Sequence, residues 1–330
     1  MALVGGSSGH GPTLTAPATV VQECLYDSGG SADTWHTVAA AAGSVRFTRS
    51  GEVVVRIRTV RLVQALVAVL LALAVVGPAA PAQAAAPPVP HSMAALGDSI
   101  TRGFNACGWY VDCPSRSWST GSTTSVNSHL ARLQRLGPVT AYNDAKTGAK
   151  MSALPGQAAS AAAQGAQYVT VLLGANDACT SSESTMTPVS TFAAQVDSGL
   201  AALKAAPATP YVFIASIPDI KRLWAIGKDS SSARSTWALF GICQSMLANP
   251  RSTTTADTAR RDRVQQRVRD YNAVLASACA AFGDHCRYDG GAVFGYPFTL
   301  SQVSTWDYFH PNTSGQTALA AVTWPTSYGW

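Results

Sequence analysis

The sequence predicts an α/β fold in which a parallel sheet carries helices on both of its faces. Three observations support this: four short apolar runs rich in β-branched residues, segments with helical spacing between them, and polar residues directly after the runs. Strands that alternate with helices form βαβ units and therefore parallel sheets. We expect one such domain over residues 87–330.

The strands are predicted from their nearly continuous apolar character, which is typical of strands buried on both faces of a sheet. In chain order the four runs are residues 92–96, 139–142, 168–173 and 211–217. A fifth strand at residues 286–288 has weaker support.

The helices are predicted from apolar residues that recur every three or four positions, or from Ala- and Gln-rich composition. In chain order they are residues 125–136, 156–167, 188–205, 256–282 and 315–322. The segment 220–255 is irregular and rich in aromatic residues. A segment of this length is often a lid or a binding loop, although its aromatic residues could equally well pack locally.

The N-terminal part of the chain resembles a leader rather than a domain. Arginines precede an apolar run at residues 62–76, which only Gln64 interrupts, and small residues follow as far as Ala86. This order of basic, apolar and small residues is typical of a secretory signal peptide. The run of about 15 residues is shorter than the roughly 20 that a spanning helix needs, which argues against the alternative, a membrane anchor.

We therefore expect a signal peptide over residues 53–86, cleavage after Ala84 or Ala86, and a secreted, extracellular protein. Residues 1–52 show no sustained periodicity and are interpreted as a leader that is not a domain. A translation start near Val53 instead of Met1 would account for this extra segment.

Charge gives no indication of a nucleic-acid partner. Five arginines and four acidic residues precede residue 85, which leaves 18 basic and 14 acidic residues in the expected mature chain. The basic residues concentrate between Arg260 and Asp270, where acidic residues are interleaved as on a solvated helix face. We expect a monomer that binds no nucleic acid, and attraction to lipid surfaces stays open as a weak, transient contact.

Six of the seven cysteines lie in the expected mature chain, and an even number in an exported protein favours disulfide bonds. They are Cys107, Cys113, Cys179, Cys243, Cys279 and Cys286. Six cysteines allow fifteen pairings, and the sequence alone does not choose among them. Spacing favours Cys107–Cys113 and Cys279–Cys286 as small loops, which leaves Cys179 with Cys243.

A metal site has little support in the sequence. His285 and Cys286 lie near Cys279 and Asp284, but the paired Cys-x-x-Cys spacing of a zinc site is missing. We expect neither a metal nor another cofactor.

Polar residues that could carry chemistry follow the predicted strands in four blocks. Three blocks follow a strand directly: residues 97–103 (GDSITRG), 143–149 (NDAKTGA) and 174–177 (GAND). The fourth, residues 307–312 (DYFHPN), precedes the last helix. Because ligands bind at the carboxyl ends of parallel strands, we expect these blocks to meet at one edge of the sheet.

Ser99 in the first block is a candidate nucleophile, because an imidazole that reaches its hydroxyl can act as the base. His310 in the last block is the candidate base, and Asp307 lies three residues before it. This spacing predicts that both side chains face one way over a single helical turn. The other histidines considered, His91, His129 and His285, are interpreted as surface or structural residues.

Together and in this order, the four blocks closely resemble those of the SGNH, or GDSL, family of serine esterases and lipases, over nearly the whole expected mature chain. The resemblance implies a flavodoxin-like three-layer α/β/α sandwich. Thr101 stands where a G-x-S-x-G elbow has its second glycine, which argues against the α/β-hydrolase fold.

The resemblance also implies roles for individual residues. Ser99 would be the nucleophile, His310 the base and Asp307 the acid that orients it, although a backbone carbonyl replaces this acid in some relatives. The oxyanion hole would consist of the backbone N–H groups of Ser99 and Gly148 and the side-chain amide of Asn176. Two further acids, Asp98 and Asp177, are expected to bond to nearby loop amides.

The implied function is a secreted serine hydrolase of esters. The apolar segment 223–247 favours lipid or acyl esters as substrates. Two alternatives remain: a carbohydrate acetyl esterase on the same fold, and a catalytically inactive lipid- or glycan-binding module. The intact set of candidate catalytic residues argues against the inactive module.

Overall fold

The computed structural model describes residues 38–40, 43–47, 53–56 and 86–330. The chain divides into two compact units, residues 1–83 and 84–330. In the first unit, three antiparallel strands, β1 (Val38–Ala40), β2 (Gly43–Phe47) and β3 (Val53–Arg56), form a sheet in that order. These strands were not predicted. The leader and signal-peptide assignments lie largely outside the described residues and stay predictions.

The second unit is built on a five-stranded parallel sheet, as predicted. Its strands are β4 (Ser92–Gly97), β5 (Thr140–Asn143), β6 (Tyr168–Leu172), β7 (Tyr211–Ile214) and β8 (Cys286–Tyr288). Their order across the sheet is β5-β4-β6-β7-β8, and all neighbours are parallel. Numbered within this sheet the order is 2-1-3-4-5, that of flavodoxin-like folds, which confirms the predicted fold class.

Burial across the sheet follows from this order. The central strand β6 is buried along its whole length, and Met93 of β4 lies opposite Tyr168 of β6. The edge strand β5 has residues that are only partly buried or exposed. The continuous burial expected for residues 139–142 is therefore wrong, because an edge strand has a neighbouring strand on one side alone.

Helices connect the strands and cover the sheet. They are α1 (His129–Leu133), α2 (Leu154–Ala163), α3 (Ala175–Ala178), α4 (Val189–Lys204), α5 (Ile220–Gly227), α6 (Ser231–Leu239), α7 (Gln244–Leu247), α8 (Thr255–Phe282), α9 (Ala292–Gly295) and α10 (Thr313–Thr323). Helix α4 packs against both α2 and α8. On the other face, α1 meets the end of α10, where His129 Nε2 lies 2.8 Å from Thr323 Oγ1.

Two helical expectations need correction. Helix α1 begins only after Ser128, whose hydroxyl caps it by accepting a hydrogen bond from the Ala131 N–H, so the helix is shorter than the predicted 125–136. The segment 220–255, expected to be irregular, contains α5, α6 and α7. Within it Trp237 and Met246 are buried while Phe240 is exposed, so local packing explains only part of its aromatic content.

Three disulfide bonds brace this unit. They join Cys107 to Cys113, Cys179 to Cys243 and Cys279 to Cys286, the pairs that spacing favoured. The second bond ties the residues after α3 to the start of α7. No helix within the described part of the chain is long and apolar enough to cross a membrane.

Candidate active site

Ser99 lies just beyond the carboxyl end of β4, at the point where the strand order of the sheet reverses between β4 and β6. Such a switch point is where ligands bind in doubly wound sheets. Gly97 permits the close approach of these strands, because a Cβ atom there would lie 2.5 Å from the Leu172 carbonyl oxygen. The Ser99 side chain is nearly buried, so the hydroxyl is largely shielded from bulk water.

The structure brings Ser99, His310 and Asp307 into one hydrogen-bonded chain. His310 Nε2 lies 2.8 Å from Ser99 Oγ, and His310 Nδ1 lies 2.6 Å from Asp307 Oδ2. A neutral imidazole that donates from Nδ1 to the carboxylate leaves Nε2 free to accept the serine proton. The arrangement can therefore generate a nucleophilic alkoxide.

The segment that carries Asp307 and His310 is a tight turn and not the helical turn that the spacing predicts. Tyr308 between them adopts a left-handed conformation with φ 52°. Asp307 Oδ1 accepts hydrogen bonds from the backbone N–H groups of Phe309 (2.9 Å) and His310 (3.0 Å). The aspartate therefore stabilises its own turn and aims its second oxygen at the imidazole.

Asp307 is held as a carboxylate. Burial raises its pKa, but the hydrogen bond from His310, the charge of His310 and the two backbone N–H groups outweigh burial and bring the pKa below its ordinary value. A further donor, Asn105 Nδ2, lies 2.6 Å from Asp307 Oδ2. Sequence reasoning missed Asn105, and its only signal is its place two residues after the first block.

Two phenylalanines shield the imidazole. The rings of Phe104 and Phe309 lie 4.9 Å and 5.0 Å from the His310 ring, centroid to centroid. They limit the rotation of the ring and exclude water from its faces, which strengthens the hydrogen bonds at its two nitrogens.

The loops that carry the predicted oxyanion donors Gly148 and Asn176 are bonded to each other and to the strand end that precedes Ser99. Asn176 Nδ2 donates to the Ala149 carbonyl oxygen (2.9 Å), and the Lys146 N–H donates to the Gly97 carbonyl oxygen (3.1 Å). The loop that carries Gly148 is thus held between the nucleophile loop and Asn176. Gly148 adopts φ 80°, which favours glycine, and a Cβ atom there would point into open space.

The other two acids support these loops. Asp177 accepts hydrogen bonds from the Met151 N–H (2.8 Å) and the Thr187 hydroxyl (2.7 Å), and burial raises its pKa. Asp98 Oδ1 accepts from the Ile100 N–H (2.9 Å). Burial raises the pKa of Asp98 to about 7, although the Ile100 N–H and the charge of His310 act in the opposite direction.

The other three histidines in the described part of the chain lie away from these hydrogen bonds. His129 is fully buried between the hydroxyls of Tyr168 and Thr323, and burial, with the nearby charge of Arg132, lowers its pKa to about 3. His285 Nδ1 lies 3.1 Å from the Thr209 carbonyl oxygen, and His91 is exposed. None of the described residues belongs to a group of three or more His, Cys, Asp or Glu suited to a metal ion.

An apolar cleft opens next to the serine. Its apolar lining includes Ile100, Leu223, Ile226, Phe298, Phe309 and Pro311. Ile100 follows the serine directly, while Phe309 and Pro311 flank the histidine. A serine hydroxyl bonded to an imidazole, together with an adjoining apolar cleft, forms an arrangement that can transfer an acyl group.

Comparisons with known proteins agree with this chemistry at the level of family. A model of the GDSL-like lipase/acylhydrolase family matches residues 95–318. No curated protein matches the sequence.

Several solved structures are similar to the chain at low identity. The hydrolase LAE5 from the metagenome of Lake Arreo in Spain is 17% identical, with 70% of this chain and 92% of that chain covered and a TM-score of 0.43. A catalytic mutant of Axe2, an acetylxylan esterase from Geobacillus stearothermophilus, is 14% identical (72% and 93% covered, TM-score 0.45). An extracellular lipase from Streptomyces rimosus is 17% identical (72% and 99% covered, TM-score 0.39).

Proposed function

The chain belongs to the GDSL-like lipase/acylhydrolase family, and from this premise we propose that it is a secreted serine hydrolase that cleaves carboxylic esters of lipid-like acyl groups. The observation that carries the proposal is the hydrogen-bonded chain from Ser99 through His310 to Asp307. It supports a specific division of roles in a two-step reaction.

In the first step Ser99 Oγ attacks the ester carbonyl carbon while its proton passes to His310 Nε2. The C–O bond to the alcohol then breaks, and the imidazolium returns the proton to the departing alcohol, which leaves an acyl-serine. In the second step water attacks the acyl-serine by the same proton transfers and releases the acid. Asp307 stays ionised throughout and stabilises the imidazolium.

Three donors are assigned to stabilising the negative charge that develops on the carbonyl oxygen: the backbone N–H groups of Ser99 and Gly148 and the side chain of Asn176. Asn176 uses one amide hydrogen on the Ala149 carbonyl, so its second hydrogen is available to the oxyanion. One such donor typically contributes about 3 kcal/mol to stabilising the transition state.

The apolar cleft supports an acyl chain longer than acetyl. Its wall at Leu223 and Ile226 belongs to α5, within the segment whose apolar character led to the predicted lipid preference. An acetyl group would leave this lining exposed to water, whereas a chain of several methylenes gains about 0.8 kcal/mol for each buried CH₂.

Export is supported by the three disulfide bonds, because such bonds persist in oxidising compartments. The predicted signal peptide at residues 53–86 agrees with this location. Mass analysis of the protein released into the medium of an expressing host, which should begin at residue 85 or 87, tests both.

The reaction is tested with residues 85–330 and p-nitrophenyl esters. We expect hydrolysis, covalent labelling of Ser99 by a fluorophosphonate, and a loss in kcat of at least about 10³-fold in Ser99→Ala. A folded protein that neither turns over these esters nor labels would instead be the inactive binding module.

The acyl preference is tested by narrowing the cleft. In Leu223→Trp and Ile226→Trp, kcat/KM on the decanoate ester should fall at least about tenfold relative to the acetate ester, since several methylenes lose their burial. Leu136→Trp, an exposed leucine outside the cleft, is the matched control. Activity confined to acetylated polysaccharide would contradict the lipid assignment and favour the carbohydrate acetyl esterase.

A further inference from the structure

Large hydrophobic side chains are exposed together at the rim of the active site. We call this group the aromatic patch, and it consists of Trp109, Tyr110, Val111, Leu239, Phe240 and Trp306. Of the seven large hydrophobic side chains exposed among the described residues, these are six, and the seventh is Leu136. Single exposed hydrophobic residues need no explanation, whereas a cluster marks an interaction surface.

The patch is one continuous surface although three separate segments contribute to it. The rings of Trp109 and Trp306 lie 5.5 Å apart, centroid to centroid, and the rings of Tyr110 and Phe240 lie 5.8 Å apart. The Tyr110 hydroxyl donates to the Trp306 carbonyl oxygen at 2.5 Å. Val111 and Leu239 extend this surface as chain neighbours of Tyr110 and Phe240.

The fold holds these side chains outward at a conformational cost. Trp109 (φ 66°) and Tyr110 (φ 49°) are successive bulky residues in the left-handed region, which is unfavourable for both. They form the tip of the loop closed by the Cys107–Cys113 disulfide. A rigid loop that keeps two strained aromatic residues in water indicates that the surface has a partner.

The patch adjoins the catalytic residues. Trp306 directly precedes Asp307. The carbonyl oxygen of Tyr308 accepts a hydrogen bond from Trp237 Nε1. Trp237 belongs to α6, the helix that ends at the patch residue Leu239. On the other side, Asp112 Oδ1 accepts from the hydroxyl of Thr147, the residue before Gly148. The patch therefore lies on loops next to the catalytic residues, and Phe309 and Pro311, from the same segment as Trp306, line the apolar cleft.

The chemistry of the patch favours lipid over sugar. A sugar-binding platform pairs aromatic faces with free polar side chains, but Asp112 is already bonded to Arg102 (2.9 Å) and Thr147, and the Tyr110 hydroxyl is bonded to Trp306. Leu239 and Phe240, at 79% and 57% exposure, offer only apolar surface. Trp and Tyr are the residues enriched at membrane–water interfaces.

We propose that the aromatic patch docks the enzyme on a zwitterionic phospholipid surface, with the active-site entrance facing the lipid. This proposal rests on the proposed function, because docking would serve ester hydrolysis: an acyl chain that leaves the lipid surface would enter the cleft directly. Apolar burial drives the contact, so raised salt does not weaken it.

The test measures co-sedimentation of residues 85–330 with phosphatidylcholine vesicles, in the Ser99→Ala background so that no lipid is cleaved. Replacing Trp109, Leu239 and Phe240 together by serine should lower vesicle affinity by about tenfold or more, because three apolar side chains lose their burial. Leu136→Ser is the matched control and should bind as the parent does. With Ser99 restored, the triple variant should hydrolyse p-nitrophenyl acetate at the parent rate, which shows that it folds.

Equal vesicle binding by parent and triple variant would overturn the proposal. Two other results would also overturn it. If the parent bound acetylated xylan instead of vesicles and the triple variant did not, the patch would bind glycan. If the parent were a dimer and the triple variant a monomer, the patch would bind a second copy of the chain. Because binding is measured with inactive protein, failure to dock is distinct from failure to hydrolyse esters.

Discussion

Asn105 Nδ2 lies 2.6 Å from Asp307 Oδ2, the carboxylate oxygen that also faces His310 Nδ1. With the two backbone N–H groups on Oδ1, Asp307 accepts four hydrogen bonds in a buried position. Asn105 therefore fixes the direction of the carboxylate from the side of the nucleophile loop and links the two loops that carry the serine and the histidine.

Asn105→Ala should lower kcat by about 10- to 100-fold with little change in KM, because a hydrogen bond to a charged group contributes roughly 1.5–3 kcal/mol. Steady-state kinetics on a soluble p-nitrophenyl ester measure this. Asn127→Ala is the matched control. Like Asn105, Asn127 has a left-handed backbone conformation (φ 50°), but it contacts Arg132 and Arg135 instead of the site. Equal losses in both variants would show that Asn105 contributes only stability.

Asp307→Asn should lower kcat by about 10³- to 10⁴-fold, as expected when the imidazole is held in the wrong tautomer. Among the described residues, His310 Nδ1 makes its hydrogen bond to Asp307 Oδ2 and none to a backbone carbonyl, so we expect no backbone group to compensate for the lost carboxylate. The rate of fluorophosphonate labelling should fall in parallel with turnover. A loss smaller than tenfold would remove Asp307 from the proposed triad.

Asn176→Ala should lower kcat by about 10²- to 10³-fold with a modest change in KM, the loss typical of one oxyanion donor. Its contact with the Ala149 carbonyl means that the Gly148 loop also loses a support. Asn176→Asp isolates the oxyanion role, because it loses the donor to the Ala149 carbonyl just as the alanine variant does, but in addition places negative charge beside the oxyanion. If this variant kept more activity than the alanine variant, the oxyanion role would be wrong.

Much of this architecture could be predicted because the pattern is local. The apolar runs that became β4, β6 and β7 are recognised from their composition, and the polar blocks after β4, β5 and β6 follow from the chain order alone. The exposure of β5 could not be predicted, because it depends on which strand becomes the edge of the sheet. Helices α6 and α7 of segment 220–255 escaped prediction because they are short and the tertiary burial of Trp237 and Met246 stabilises them.

The site shows the same division. The sequence shows that His310 lies three residues after Asp307. The turn that joins them depends on the left-handed conformation of Tyr308, which non-glycine residues rarely adopt. Asn105 carries no motif and becomes visible only when residues 202 positions apart in the chain meet. Roles that depend on such long-range contacts lie beyond sequence patterns.

Removing the Cys179–Cys243 bond should destabilise the protein more than removing Cys107–Cys113. The bonds close segments of 64 and 6 residues, and loop entropy gives about 4 kcal/mol for the longer one and roughly 2–3 for the shorter. The Cys179→Ala, Cys243→Ala double variant should therefore melt roughly 10 °C lower than the parent. Scanning calorimetry measures this, and a melting temperature unchanged in dithiothreitol would contradict a stabilising role.

Asp98 should make stability depend on pH. Burial raises its pKa in the folded protein to about 7 from an ordinary value of 3.8, and its Oδ2 atom has no hydrogen-bond partner among the described residues. The folded state therefore keeps a proton that the unfolded state releases. The resulting stabilisation is complete below the unfolded pKa and is lost as pH rises through the folded pKa.

Asp98→Asn replaces the carboxyl by a neutral group of the same shape, so it should remove this dependence while retaining an acceptor for the Ile100 N–H. Between pH 5 and pH 8, the free energy of unfolding of the parent should fall by roughly 3 kcal/mol more than that of the variant. Urea unfolding of both proteins at both pH values measures these free energies. Other groups that titrate in this range, such as Asp177, are present in both proteins, so their effects cancel when the variant is subtracted from the parent. Parallel pH profiles for the two proteins would mean that Asp98 is ionised in the folded state, and the buried carboxylate would then need a partner that compensates its charge.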